Sequence, residues 1–316
     1  MLLFIVSTLF CLFAPDIYSF VTLRLIQGIA GAGGIVISRS VAIDKFSGKE
    51  LAKMLAVIGA INGVAPVAAP VIGGLLTGSV GWQGIFMILL FIGILLGIGC
   101  IRFKESLPAE KRSKTGVWAT FRSFGIIVHN RRYMLYVFQL AFAQGILFAY
   151  IASSPFIIQQ HYGFSPFAFS ICFAVNAVAI GVAAALSVKF RRTENGTLTG
   201  CVGMLVFAVL QMAALYSGCG FWTYELLMFA LLFMMGLTFT ASTTLAMDCE
   251  RRYAGAASAL LGALCFASGG IVSPLVGLGD ILISTGVTFV ICAVCSLLCA
   301  LWAVKRTGPK VALCRI

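Results

Sequence analysis

The chain has 316 residues, of which 61% are hydrophobic and 10% are charged, whereas soluble domains carry about 25% charged residues. This composition excludes an ordinary soluble domain and indicates a membrane protein. The formal net charge of +12 does not indicate a nucleic-acid partner, because the basic residues form no single patch.

Apolar segments follow one another along most of the chain, and most have about 20 residues, the length of a helix that crosses the bilayer core. A membrane barrel would show alternating segments of about ten residues instead. The sequence therefore predicts an all-α, multi-pass membrane protein with ten helices, near residues 1–13, 20–41, 51–77, 82–101, 133–158, 166–188, 197–217, 221–247, 254–279 and 281–304.

The first segment, MLLFIVSTLFCLF, is too short to span a bilayer. It also lacks the charged start and the small-residue cleavage site of a signal peptide. We expect it to be the end of a longer helix whose beginning lies outside this sequence.

Basic residues are confined to alternate loops. All 22 Lys and Arg residues except Arg24 lie there or at the adjoining helix ends, whereas loops such as APDIYS (14–19) and GCG (218–220) contain none. The positive-inside rule therefore predicts cytoplasmic basic loops and a cytoplasmic C-terminus.

Arg24 lies inside the second apolar segment, in LRLIQGIAGAGG. Because a guanidinium inside a membrane costs about 2.5–3.5 kcal/mol on insertion scales, we expect Arg24 to face a bundle interior or an aqueous cavity. A carboxylate or an anionic substrate could meet it there, and Gln27 and Gly28 continue a small, polar face. The alternative is a side chain that reaches to the nearby membrane surface.

The third segment contains GAINGVAPVAAPVIGG (59–74). Its helix breakers recur at spacings of three and four, which places them on one side of one helix. This pattern predicts a bent helix with a closely packed interface, while the alternative is a plain glycine-rich packing face. The residues concerned are Gly59, Gly63, Pro66, Pro70, Gly73 and Gly74.

Polar and aromatic residues recur within the later segments. Phe142, Gln144, Tyr150 and Asn176 are candidates for a substrate cavity, although each polar residue singly, like Gln139 and Gln211, is also typical of an interhelical hydrogen bond. Glu225 is the fifth candidate for this cavity and could titrate or bind a cation, and the alternative is a solvated carboxylate at a helix start.

Two pairs of short motifs indicate an internal repeat of six helices. FVTLRL (20–25) resembles FWTYEL (221–226), and Pro70 to Gly73 resembles Pro274 to Gly277. The predicted organisation is an incomplete N-terminal bundle (1–101), a cytoplasmic linker (102–132), a C-terminal six-helix bundle (133–304) and a cytoplasmic tail (305–316).

These motifs resemble those of the major facilitator drug:proton antiporters. RLIQGIAGAGG (24–34) is similar to their fourth-helix motif and GAINGVAPVAAPVIGG to their fifth-helix antiporter motif. With GWQGIFMI (81–88), KESLP (104–108) and SSPFII (153–158), the chain most resembles the bicyclomycin-resistance (Bcr/CflA) family. The resemblance implies a major facilitator fold in which the ten segments correspond to helices three to twelve of twelve.

The resemblance implies proton-coupled export of drugs or small amphipathic metabolites by alternating access. Arg24, with Gln27 and Gly28 beside it, would be the proton-linked basic residue, and the 59–74 segment the antiporter motif. On this resemblance, helices one and two, and with them the carboxylate expected near Arg24, would lie outside this sequence. The expected alternatives are a misplaced start codon with a longer active protein, and a truncated, inactive remnant that acts at most by helix association.

The sequence also bears on other functional classes, on metal binding, and on cofactors and partners. A uniporter or symporter on the same fold is a second alternative, whereas an enzyme is not expected, because no convergent acid or metal set is visible within the spans. Cys292, Cys295 and Cys299 share a helix face without the His or carboxylate ligands of a metal site. We expect no cofactor besides the proton gradient, and a monomer in the cytoplasmic (inner) membrane whose partners are protons, a small-molecule substrate and lipid.

Overall fold

A computed structural model describes residues 1–46, 48–102, 124–187, 190, 192–250 and 253–305. Within these ranges every element of regular secondary structure is a helix. The long helices are α1 (Leu2–Leu12), α2 (Ile17–Lys45), α3 (Gly48–Arg102), α4 (Arg131–Pro155), α5 (Pro166–Ser187), α6 (Thr193–Tyr216), α7 (Phe221–Cys249), α8 (Ala254–Leu275) and α9 (Ile281–Lys305). The all-α prediction is confirmed.

The third and fourth predicted helices are joined within α3. Gly81 alone interrupts the long helix, with φ 64° and ψ −175°, so that helical segments lie on both sides of it. Counted this way, the described residues contain the ten predicted long helices. The sequence placed a four-residue break at GSVG, but one glycine is enough, because it reaches positive φ without a steric penalty.

Seven of the helical segments in the described ranges are long and apolar enough to cross a membrane. They are Val80–Arg102, Arg131–His161, Pro166–Ser187, Thr193–Tyr216, Phe221–Cys249, Gly255–Leu275 and Ile281–Lys305. Several helices extend beyond their predicted ends, as α2 does, which covers Ile17–Lys45 where the sequence predicts 20–41. The predicted linker and tail lie largely outside the described residues.

The helix ends at Pro155 and Pro274 differ from the sequence prediction. Beyond Pro155, α4 continues as a π-helix, Phe156–His161, a form that accommodates a disturbed hydrogen-bond ladder. α8 ends at Leu275, one residue after Pro274, whereas Pro70 and Gly73 lie in the interior of α3. The two Pro-to-Gly motifs that resemble each other in sequence therefore occupy different positions in their helices.

The chain divides into two compact units, Met1–Lys114 and Thr115–Ile316. In the first unit α1 packs against both α2 and α3. The close contact with α3 is possible because Gly97 has no side chain: a Cβ atom there would lie 3.0 Å from Ile5 Cδ1. Small residues thus set the helix spacing in this unit.

In the second unit α4 packs against α7, α8 and α9, while α7 also packs against α5 and α6. The core between these helices contains fully buried apolar side chains, among them Ile146, Met204, Leu231 and Phe289. α7 approaches both neighbours at glycines. A Cβ atom at Gly236 would lie 2.5 Å from the Ile180 carbonyl oxygen of α5. One at Gly200 of α6 would lie 2.8 Å from the Met234 carbonyl oxygen.

Candidate functional site

Arg24 lies in the second turn of α2 and is oriented by an uncharged amide. Its Nη1 donates a 2.5 Å hydrogen bond to Gln27 Oε1. The spacing of three residues places both side chains on one face of the helix. Gln27 is buried and in turn donates through Nε2 to Thr8 Oγ1 of α1 at 2.6 Å. Two consecutive hydrogen bonds therefore connect the Arg24 side chain to α1.

An aromatic cluster supports the Arg24 guanidinium from α3. The guanidinium carbon lies 5.4 Å from the centroid of the Phe86 ring, within the range of a cation–π contact. Phe86 packs edge-on against Phe20 and Trp82, with centroid distances of 5.5 and 5.9 Å. Sequence reasoning missed Thr8 and Phe86, although the aromatic pair at i and i+4 in GWQGIFMI is a usable signal for the latter.

Most N–H groups of the Arg24 guanidinium make no hydrogen bond within the described part of the first unit. Arg24 is exposed within the described residues, and no carboxylate among them hydrogen-bonds to it. Gly28 follows on the same helix with open space where a Cβ atom would be. The arrangement can attract an anion or a carboxylate, because four of the five guanidinium N–H groups are not used by Gln27.

The glycine- and proline-rich segment 59–74 forms part of α3, so its predicted helical state is confirmed. Side-chain surroundings at Gly59, Gly63, Pro66 and Pro70 lie outside the described residues. Gly73 and Gly74 are half-buried, and a Cβ atom at Gly73 would meet nothing within 4 Å. The closely packed interface therefore stays a prediction.

In the second unit a polar cluster joins three helices around Glu225 of α7. Asn176 of α5 donates from Nδ2 to Glu225 Oε1 at 2.8 Å and to the Tyr150 hydroxyl of α4 at 3.0 Å. Asn176 and Tyr150 are fully buried, and the Tyr150 ring stacks on Phe173 at 5.3 Å. Glu225 is half-buried, so the alternative of a freely solvated helix-start carboxylate does not describe it.

Three buried polar atoms of this cluster have no hydrogen-bond partner among the described residues. They are Glu225 Oε2, Asn176 Oδ1 and the Tyr224 hydroxyl. Buried polar groups in proteins are nearly always paired. The unpaired carboxylate oxygen, amide oxygen and phenol mark a cluster whose hydrogen-bonding capacity is not fully used by the described residues.

The remaining two candidates for the substrate cavity lie elsewhere on α4. Phe142 and Gln144 are half-buried, and Phe142 precedes Tyr150 by eight residues, about 12 Å along a helix. They also lie on different sides of α4, because two residues correspond to about 200° of helix rotation. Three of the five candidates are thus brought together, and the substrate cavity itself stays a prediction.

A second buried network surrounds Gln139 of α4. Its Nε2 donates to Thr238 Oγ1 of α7 at 2.7 Å and to Ser296 Oγ of α9 at 3.1 Å. Ser296 Oγ also donates to the Gln139 carbonyl oxygen at 3.2 Å. The interhelical hydrogen bonding predicted for Gln139 is confirmed, and with the Cys201 thiol of α6, 3.4 Å from Nε2, the network joins four helices. The same prediction is wrong for Gln211, because its buried amide has no hydrogen-bond partner among the described residues.

Tyr162, in the loop before α5, packs its ring against Tyr224 of α7 and contacts the loop before α7. The Tyr162 hydroxyl donates to the Cys219 carbonyl oxygen at 2.9 Å, and its ring lies 5.8 Å from that of Tyr224. Burial raises the pKa of Tyr162, and the hydrogen bond with Cys219 makes a smaller contribution in the same direction. The phenol therefore stays neutral at physiological pH and brings no charge to the cluster.

The chain is similar in sequence to proteins that are named as a transporter or as resistance proteins. The sequence is 37% identical over 285 residues, 88% of this chain and 71% of the relative, to the "Uncharacterized MFS-type transporter YdgK" of Bacillus subtilis. It is 29% identical over 289 residues, 86% of this chain and 70% of the relative, to the "Bicyclomycin resistance protein homolog" of Haemophilus influenzae. "Multidrug resistance protein MdtL" of Salmonella heidelberg is 24% identical over 56% of this chain and 44% of its own length.

Solved structures show the same fold. A bacterial homologue of the human lysosomal transporter Spinster, inward-facing and occupied, has a TM-score of 0.72 at 18% identity, over 98% of this chain and 81% of its own. The xylose transporter XylE from E. coli has a TM-score of 0.68 at 13% identity, over 96% of this chain and 78% of its own. A family model described as "Major Facilitator Superfamily" matches residues 1–274. The chain belongs to the Major Facilitator Superfamily.

Proposed function

We propose that this chain exports drugs or small amphipathic metabolites in exchange for protons, as a member of the bicyclomycin-resistance (Bcr/CflA) group. The names of two relatives, a bicyclomycin resistance protein homolog and a multidrug resistance protein, support export of such compounds. The motifs RLIQGIAGAGG and GAINGVAPVAAPVIGG support an antiporter within the superfamily.

The observation that carries the proposal is the arrangement of Arg24. A membrane-embedded guanidinium is costly and is retained in proteins mainly where it serves a function. Here Gln27 and Phe86 hold it in place without neutralising it. Because Arg keeps its own proton at all physiological pH values, its role is to attract a carboxylate or an anion and to favour release of a proton from it.

The other parts of the proposal concern motion and substrate. Two bundles rock about a central site, and the 59–74 segment packs between them as the antiporter motif, with Gln27 and Gly28 beside the proton-linked Arg24. Phe142, Gln144, Tyr150, Asn176 and Glu225 contribute the substrate cavity from the C-terminal bundle. The protein works as a monomer in the cytoplasmic membrane, with its C-terminus in the cytoplasm and without a cofactor other than the proton gradient.

Dye accumulation in bacterial cells tests the proposal. The full chain, Arg24→Ala and an empty vector are compared in cells that lack their own principal efflux pumps, with a fluorescent amphipathic dye as substrate. Arg131→Ala is the matched control, because it removes the same charge from a predicted cytoplasmic helix end. We expect lower dye accumulation with the full chain and with Arg131→Ala than with the vector, and loss of this difference with Arg24→Ala or when the proton gradient is collapsed.

Two results would contradict export by proton exchange. Equal dye content in cells with the full chain and with the vector would favour an inactive remnant or a helix-association partner. Dye content above that of the vector would favour inward transport by a uniporter or symporter on the same fold.

A further inference from the structure

The Glu225 carboxyl is surrounded by groups that carry no positive charge. The titratable side chains that interact with it electrostatically are the Tyr150 phenol of α4, the Cys172 thiol of α5 and the neighbouring Tyr224 phenol of α7. Beyond them, α6 contributes the apolar Leu215, and the loop before α5 contributes Tyr162. A negative charge on Glu225 is therefore stabilised within the described residues by a single hydrogen bond, from Asn176.

Both amide hydrogens of Asn176 already take part in hydrogen bonds. Its two Nδ2 hydrogens go to Glu225 Oε1 and to the Tyr150 hydroxyl. Among the residues that the structure describes, no donor reaches Glu225 Oε2, which is buried. A charged carboxylate with one unsolvated oxygen is unfavourable in a low-dielectric bundle unless a cation joins it.

The cation that fits this site is a proton. Glu225 Oε2 and Asn176 Oδ1 are both buried without a hydrogen-bond partner among the described residues, so in this conformation an organic ammonium group or a metal ion would have to displace packed side chains to reach them. A proton needs no such space. When Oε2 takes up a proton, the carboxylate becomes a neutral acid, and the same oxygen changes from an acceptor into a donor.

We propose that the Glu225 carboxyl is a proton-carrying site of the second unit, with Asn176 and Tyr150 as its positioning residues. Uptake adds one proton to Oε2 and removes the negative charge, and release restores the carboxylate when the site opens to water. This inference rests on the proton exchange proposed above, and it identifies a group that carries the proton. A guanidinium is effectively always protonated in proteins, so the carrier has to be a group of another kind.

Infrared difference spectroscopy on the purified full chain tests the site directly. Between acidic and alkaline pH, the carbonyl-stretch band of a protonated carboxylic acid is expected to disappear reversibly, and the part of it that belongs to Glu225 is expected to be missing in Glu225→Gln. Glu225→Asp restores a titrating band. Glu250→Gln is the matched control, because it removes a carboxyl near the other end of α7, where Glu250 accepts a hydrogen bond from Asn130, and leaves the Glu225 band unchanged.

Proteoliposomes provide the second readout. Addition of an amphipathic dye to wild-type vesicles is expected to drive proton movement, detected by a pH indicator. Glu225→Gln is expected to lose this movement and Glu225→Asp to recover it. Dye exchange by wild type is expected to depend on pH, whereas any exchange that remains in Glu225→Gln is expected to be independent of pH. If Glu225→Gln cannot be purified in folded form, Asn176→Leu assigns the band instead, because loss of the amide donor to Oε1 shifts the band frequency.

The outcomes separate this inference from the proposed function. A Glu225→Gln protein that keeps the full wild-type band and the full dye-driven proton movement overturns the inference and leaves proton-coupled export standing. Wild-type vesicles in which dye drives no proton movement, but in which the Glu225 band titrates, contradict the proposed function and support the proton site. An Asn176→Leu protein with an unshifted band also counts against the site.

Discussion

Replacement of Gly236 by alanine tests the packing that holds α7 in place. Gly236 lies where α7 crosses α5, and a Cβ atom there would stand 2.5 Å from the Ile180 carbonyl oxygen and 2.9 Å from Ala183 Cβ. The nearest atom belongs to the backbone and cannot rotate away. One methyl group must therefore push the two helices apart.

The expected loss of stability follows from this distance. Ordinary contact begins at 3.4 Å, so α5 and α7 must separate locally by about 0.9 Å, the difference from the 2.5 Å available. Overpacking of a tight core costs about 1–3 kcal/mol, and the better helix propensity of alanine returns about 0.5–1 kcal/mol. The difference spans about 0–2.5 kcal/mol, and we expect Gly236→Ala to destabilise the second unit by about 1 kcal/mol, near the middle of that range.

Gly181→Ala is the matched control for this substitution. Gly181 lies next to Ile180 on α5, is exposed, and has open space where a Cβ atom would be. Both variants are heated in detergent with a thiol-reactive dye, which reports unfolding because Cys201, Cys265 and Cys292 are free and buried. Gly236→Ala should unfold at a lower temperature than wild type, and Gly181→Ala at an equal or higher one. A Gly236→Ala protein as stable as wild type, or a Gly181→Ala protein that is equally destabilised, would refute the reasoning.

Three further substitutions have distinct expected results. The Ser19 N–H and hydroxyl lower the pKa of Asp16. The contribution of this helix cap is therefore present above the unfolded pKa of about 4 and lost as pH falls through the folded value. Accordingly, Asp16→Ala should speed amide hydrogen exchange at the start of α2 at neutral pH, after correction for intrinsic rates, while Asp16→Asn should not. Gln139→Leu loses two interhelical hydrogen bonds from Nε2 worth about 0.6 kcal/mol each, so the thiol-dye assay should show a loss of about 1 kcal/mol, and an unchanged unfolding temperature would contradict it. Phe86→Leu removes the ring under Arg24, a contact worth about 0.5–1 kcal/mol, and should reduce dye export without reducing the amount of folded protein.

Hydropathy alone was enough to locate the helices. The predicted segments match the described helices to within a few residues at most ends, because the bilayer sets the length of every apolar run. The bend at Gly81 is also visible in the sequence as a glycine within an apolar stretch. Local spacing likewise placed Gln27 beside Arg24, since residues three apart share a helix face.

Contacts between helices were not predictable in the same way. The helices around Glu225 are apolar on nearly all sides, so the sequence pattern does not state which side of each helix meets a neighbour. Asn176 and Tyr150 lie 49 and 75 positions from Glu225 in the chain. They meet because each helix is oriented about its own axis so that these side chains face one another, and the sequence does not specify this orientation. Thr8 beneath Gln27 was unpredictable for the same reason.

Arg24 and Glu225 occupy matching places in FVTLRL and FWTYEL, and the structure gives both the same kind of support. Each charge is held by an amide side chain, Gln27 in one unit and Asn176 in the other, and by no opposite charge among the described residues. An amide can accept from a guanidinium or donate to a carboxylate, because it has both a carbonyl oxygen and an NH₂ group. A salt bridge would stabilise either charge more strongly but would also neutralise it. Amides thus fix the direction of each side chain and leave its charge available, which is the property that a site for reversible binding of protons or ligands requires.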